Sequence, residues 1–140
     1  MSIKSATPYL MLLGKAEEAI AFYERALGAK VEALQHFGDA MGSNCPDALK
    51  NKVMHAALRI GEATVFLSDG DPKEAGASVS GGPVHVALDL DSAMQAREVF
   101  AALAEGGKVL QPLFDAPWGA LFGALQDRYG IDWMFNSTKT

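Results

Sequence analysis

His55 and Arg59 lie in the segment 53–60, where the alternate positions Met54, Ala56, Leu58 and Ile60 are apolar. Such alternation marks a half-buried strand, and it sends His55, Ala57 and Arg59 to the opposite face. An imidazole near neutral pH can donate to or accept from a bound polar group, and a guanidinium can grip a carboxylate or phosphoryl group with two N–H donors. His85 has the same setting: Val84, Val86, Leu88 and Leu90 form an apolar set, leaving His85, Ala87 and Asp89 on the other side. Trp118, in the turn Pro117-Trp118-Gly119, offers a large ring that can floor a pocket. Near the C-terminus Asp132, Met134 and Asn136 share one parity and Trp133 the other, which assigns Trp133 to the core. In the first half, Val65 and Leu67 are expected to take the side that Met134 takes in the second. The sum is a largely apolar pocket with a few polar groups, the usual make-up of a small-molecule site. Its candidate ligand-binding residues are His55, Arg59, His85, Trp118, Met134 and Asn136. His36 is assigned no role. Cys45 has neither a histidine nor a helix start beside it in sequence, so it is not read as a nucleophile, and no Ser-His-Asp order or phosphate-binding loop is visible.

The elements that must position these groups are legible from period and punctuation. Ala16, Ala19, Ile20, Tyr23, Ala26 and Leu27 fall on one helical stripe, with Gly28 where a left-handed cap belongs. A second helix starts after Ser92, a capping residue with Gln95 three positions on, buries Ala96, Val99, Phe100 and Leu103, and ends at Gly106 and Gly107. Strands are expected at 9–13, 31–37, 53–60, 63–68, 84–90, 109–113, 121–126 and 131–135. The order reads βαβββ twice, an α+β pattern.

The halves are also similar to each other. A shift of 78 lays Phe22 on Phe100, Gly28 on Gly106, Lys30 on Lys108 and Val31 on Val109, and a later shift of 69 lays Gly61 on Gly130. Coincidences at equivalent points of one element order point to duplication. The chain 1–140 is therefore read as one domain made of a first module at 1–70, a linker at 71–83 and a second module at 84–140. The stretch 38–52 reads as a long irregular loop that could close over a ligand.

Composition narrows the function. The 140 residues are 49% apolar and 21% charged, with 12 Lys and Arg against 17 Asp and Glu, a formal net charge of −5. A chain of this length buries enough surface to need no disulfide or structural metal, and its single cysteine excludes a disulfide framework and favours a reducing cytoplasm. No cluster of basic residues is present to hold nucleic acid. No apolar run approaches the roughly 20 residues of a membrane helix, and none is read as an export leader.

Pro8-Tyr9-Leu10, Ala19-Ile20-Ala21-Phe22-Tyr23, Leu27-Gly28-Ala29, Met54-His55-Ala56 and Arg59-Ile60-Gly61 form one set of motifs. Pro117-Trp118-Gly119, Phe122-Gly123, Asp127-Arg128-Tyr129-Gly130-Ile131 and Trp133-Met134 form another. Together they resemble the PhnB-like branch of the vicinal oxygen chelate superfamily, the glyoxalase, bleomycin-resistance and extradiol dioxygenase proteins, over nearly the whole chain. The resemblance implies tandem βαβββ modules forming a curved mixed sheet, with a concave cavity on one side and helices on the outer face, and it implies a homodimer. In metal-dependent members each module supplies two ligands to a divalent ion that stabilises an oxyanion. Carried over, those positions fall on Pro8, His85, Val65 and Met134, of which only His85 can bind a metal. The expectation is a protein that binds a small amphipathic or oxygenated molecule with no cofactor and no complete metal site. The alternative is a lyase, isomerase or transferase assisted by Mn, Ni, Fe or Zn. No glycine-rich cofactor loop of the methyltransferase type is present.

Overall fold

A computed structural model describes residues 2–70 and 82–140 of the chain. The chain divides into two compact units, Met1–Ala77 and Ser78–Thr140. The expected linker at 71–83 falls almost wholly outside the described residues.

The first unit runs β1 (Tyr9–Met11), α1 (Ala16–Leu27), β2 (Lys30–His36), α2 (Phe37–Met41), a 3₁₀ turn (Gly42–Asn44), β3 (Val53–Ile60) and β4 (Ala63–Ser68). Its sheet has the order β1-β4-β3-β2, with β1 parallel to β4 and the other pairs antiparallel. The second unit runs β5 (Val86–Leu90), α3 (Ala93–Ala104), β6 (Lys108–Asp115), β7 (Leu121–Gln126) and β8 (Asp132–Ser137), and its sheet repeats the order as β5-β8-β7-β6. Each unit is thus a βαβββ module with a mixed four-stranded sheet, the α+β arrangement expected from the sequence.

The local reasons are those the sequence offers. α1 spans the expected stripe and buries Ala16, Ala19, Ile20, Phe22, Tyr23 and Ala26. Gly28 stops it at φ 67°, a left-handed conformation that costs a glycine little, and Gly106 at φ 75° follows α3 in the same way. The Ser92 hydroxyl accepts from the Gln95 N–H at 3.3 Å and caps α3. One face of each sheet is buried: Ala56, Leu58, Val65 and Leu67 in the first, and Leu121, Leu125, Trp133 and Phe135 in the second. Phe100 of α3 meets Phe135 edge-on at 5.0 Å.

Both modules also bury a carboxylate under a strand end. Asp69 accepts from the N–H groups of Ala16 at 2.8 Å and Val53 at 2.7 Å, tying the first turn of α1 to the start of β3. Asp127 accepts from the N–H groups of Tyr129 and Ile131 and from the Trp133 indole at 2.8 Å. Each carboxylate satisfies donors that burial would otherwise orphan.

Three sequence expectations change here. The stretch 38–52 is not irregular throughout, since α2 and the 3₁₀ turn occupy its first part and backbone bonds from Phe37 to Lys52 and Gly38 to Lys50 zip its two ends together. Val84 lies outside β5 and is 82% exposed, so it does not pack beneath a helix. Val65 and Leu67 lie on the buried face, because β4 pairs Leu58 with Val65 and Ala56 with Leu67. The open-face positions of β4 are Thr64 and Phe66. Aligning the halves on Gly61 and Gly130 had put Val65 opposite Met134, but the pairings Tyr9 with Phe66 and Ala87 with Met134 make Phe66 its counterpart. A slip of one residue turns every side chain to the other face.

Candidate functional site

Each sheet leaves the face opposite its buried one open, and the strand registers sort the side chains on it into rows across the strands. In the first unit the middle row is Tyr9, Phe66, Ala57 and Ala33. His55 flanks it on one side, paired with Gln35, and Arg59 on the other, between Lys30 and Thr64. Three rings fill this face from within. The Tyr9 hydroxyl is 2.8 Å from His55 Nδ1, the His55 and Phe66 rings meet edge-on at 4.9 Å, and Tyr9 meets Phe66 at 5.6 Å. His55 is therefore a partner of Tyr9 before it is anything else. Arg59 stands four residues along β3, about 13 Å away at strand rise, so one small polar group cannot engage both. Arg59 is exposed and has no ion pair among the described residues.

The second unit has the same rows with different contents. Its middle row is Ala87, Met134, Ala124 and Gln111. Two methyl groups flank one thioether where the first unit has Tyr9, Phe66 and Ala57, so this row is low. On one side stands the row Asp89, Asn136, Phe122 and Phe114. Trp118 reaches over it from the turn before β7: its indole N–H donates to Asn136 Oδ1 at 3.3 Å and its ring meets Phe122 edge-on at 5.3 Å. Asn136 donates in turn to Asp89 Oδ1 at 3.5 Å. On the other side His85 stands just before β5, its Nε2 3.9 Å from Asp132 Oδ2, while Gln126 donates to Asp132 Oδ1 at 3.1 Å. His85 Nδ1 is buried with no hydrogen-bond partner among the described residues. An orphaned imidazole nitrogen costs free energy until some group satisfies it.

The described residues thus bring Trp118, Asn136, Met134 and His85 together on one face, around a low apolar strip with an aromatic wall and a polar wall. Rows two residues apart lie about 7 Å from each other, so the walls stand about 13 Å apart. His55 and Arg59 belong to the first unit's face. Tyr9, Phe66, Phe122 and Gln126 escaped sequence reasoning and become visible only through strand pairing, while Asp132, placed by parity beside Met134, joins His85 through the parallel register of β5 and β8.

As a metal centre the donor set falls short. His85 and Asp132 are an imidazole and a carboxylate side by side, but among the described residues no three His, Cys, Asp or Glu side chains converge as a cation would need. Met134 and Phe66, the equivalent last-strand positions, carry no oxygen or imidazole.

His36 has a role that the sequence did not show. Its imidazole pairs with Glu17 in the first turn of α1, and Nδ1 lies 3.5 Å from Asp39 in α2. The hydrogen bond to Glu17 is the main cause that raises its pKa above the ordinary value of 6.5.

Comparison with known proteins agrees with this architecture. Residues 8–135 match the family model of the Glyoxalase/Bleomycin resistance protein/Dioxygenase superfamily. Protein YjdN of Escherichia coli K12 is 32% identical over 142 residues, covering 95% of each chain. The crystal structure of protein PA1353 from Pseudomonas aeruginosa is 37% identical with a TM-score of 0.81, covering 97% of this chain and 98% of that one. The PhnB protein from Bacillus cereus shares the fold at 24% identity and a TM-score of 0.79, over 96% of this chain and all of its own, 100%.

Proposed function

The chain belongs to the glyoxalase/bleomycin resistance protein/dioxygenase superfamily, and from that premise we propose that it binds a small amphipathic, oxygen-bearing molecule on the open face of its second unit, without a family-type metal centre. The observation that carries this is the low row Ala87, Met134 and Ala124 between two unlike walls. An elongated ligand lies across that strip, its apolar part on Met134 and against Trp118, its polar oxygen toward His85 and Gln126. Exposed aromatic surface that a ligand covers contributes about 25 cal/mol for each Å² removed from water, and the unpartnered His85 Nδ1 gains from any rearrangement that gives it a partner. The lone cysteine favours a reducing cytoplasm as the working compartment, and a homodimer is the assembly that the family resemblance suggests.

A thermal-shift screen of small oxygenated compounds tests the reading. A hit that raises the melting temperature of the wild type and fails to raise that of Ala87→Phe, whose new ring fills the strip, supports it. Hits that stabilise both proteins equally contradict it.

The pairing of His85 with Asp132 favours one second reading, a metal-assisted lyase, isomerase or transferase in which two donors are completed by others. Elemental analysis of protein purified without chelator decides between the two. Stoichiometric Mn, Ni, Fe or Zn that disappears in His85→Ala would replace the first reading with the second.

A further inference from the structure

We propose that the aromatic wall of the second unit is a recognition site for an organic cation, so that the ligand's apolar end carries a quaternary or protonated amine. The inference rests on the ligand-binding reading of this face and adds the charge of the ligand to it.

The row Asp89, Asn136, Phe122 and Phe114 crosses all four strands on one face, with Trp118 standing over it. Trp118 is 62% exposed although it is the bulkiest side chain on this face, and Phe114 is 39% exposed beside it. Exposed rings in one group are unfavourable in water unless something covers them. Trp118 is also fixed, because its N–H is held by Asn136 and its ring by Phe122. A fixed indole presents the most electron-rich face among the side chains, and a cation within about 6 Å of such a ring is attracted by its quadrupole.

The second component is charge. Asp89 is exposed, and it has no ion-pair partner among the described residues. A single amide, Asn136, connects its carboxylate to the Trp118 indole, accepting from one and donating to the other. Asn136 therefore sets the distance of the carboxylate from the rings. Lys108, at the edge of this sheet, lies in register with Gln126, in the row of the opposite wall. The rings favour a cation over a neutral ligand of the same shape through their quadrupole, and the carboxylate beside them strengthens that preference.

Choline and 3,3-dimethylbutan-1-ol have the same shape and differ in charge, so they are the probes. The chain has two tryptophans, and Trp133 is fully buried, so in a ¹⁵N–¹H spectrum the Trp118 indole resonance reports binding while that of Trp133 serves as the internal reference. Choline is expected to shift the Trp118 resonance with an affinity at least about threefold above that of the neutral alcohol, in keeping with exposed cation–π energies. Asp89→Asn is expected to reduce that preference while leaving the alcohol's affinity unchanged, and added salt is expected to weaken choline alone. Equal binding of the two probes overturns the cation inference but leaves the ligand-binding reading standing on its Ala87→Phe test, and a choline preference that Asp89→Asn does not reduce overturns the part assigned to Asp89. Failure of choline to move Trp118 overturns the inference as well. A wild-type screen without any hit blocked by Ala87→Phe is the separate failure of the underlying reading.

Discussion

The two open faces are built on one strand order and put opposite contents on it. In the first unit Tyr9, Phe66 and His55 close on one another and the face satisfies itself. In the second the equivalent positions hold Ala87 and Met134, and the large groups, Trp118 and Phe122, are moved to a neighbouring row. After a duplication, one copy of a surface can be filled in while the other keeps room for a guest. The contrast explains why His55 and His85, so alike in sequence setting, differ in the structure: one has a hydroxyl at 2.8 Å and the other a buried nitrogen without a partner.

Beneath the faces the units are alike, and the largest expected effect tests that likeness. Asp127→Ala orphans two backbone N–H groups and the Trp133 indole and should destabilise the protein by about 3 kcal/mol or more in chemical denaturation. Asp69→Ala, which orphans two donors, should cost somewhat less. A loss below about 1 kcal/mol in both would show that these carboxylates do not hold the modules.

Exchanging contents between the faces is the next test. Ala87→Tyr writes the first unit's residue into the second and should weaken any screened ligand at least about tenfold, equivalent to about 1.4 kcal/mol, with little change in stability because Ala87 is exposed. In the converse change, Tyr9→Ala should leave ligand affinity within about twofold and cost about 1 kcal/mol of stability, the scale of an aromatic pair with its hydrogen bond. If Tyr9→Ala abolishes binding and Ala87→Tyr does not, the assignment of the two faces is reversed.

The smallest effect concerns His36. Its pKa is raised in the folded state by Glu17, so the pair's contribution is fully present below about pH 6.5, the unfolded value, and is lost as pH rises through the folded value. Melting curves of wild type and Glu17→Gln should differ most below about pH 6.5 and converge as pH rises through the raised folded value, by no more than about 1 kcal/mol for so exposed a pair. A difference that grows with pH would contradict this sign.

Much of this was legible in the sequence, for identifiable reasons. α1 has a clean apolar stripe and a glycine stop, and Ser92 is a strong cap. In the second unit Trp133 and Phe135 alternate with Met134 and Asn136, so parity could be read directly. It failed in β4 because Val65, Phe66 and Leu67 are apolar in succession. A strand without alternation does not reveal its faces, and only its pairing with β3 decides them. The Tyr9 to His55 contact spans 46 residues and depends on the same pairing. Asp69 and Asp127 give no signal in the sequence, because a carboxylate at a strand end is usually solvated. Their burial follows from the donors that the chain folds around them.

The central claim is that ligand occupies the second unit's face rather than the first's. A crystal structure with the best compound from the screen tests it most directly. The account predicts ligand density over Ala87, Met134 and Ala124, against Trp118. Density confined to Tyr9, Phe66 and His55, with the second unit's face bare, would contradict it.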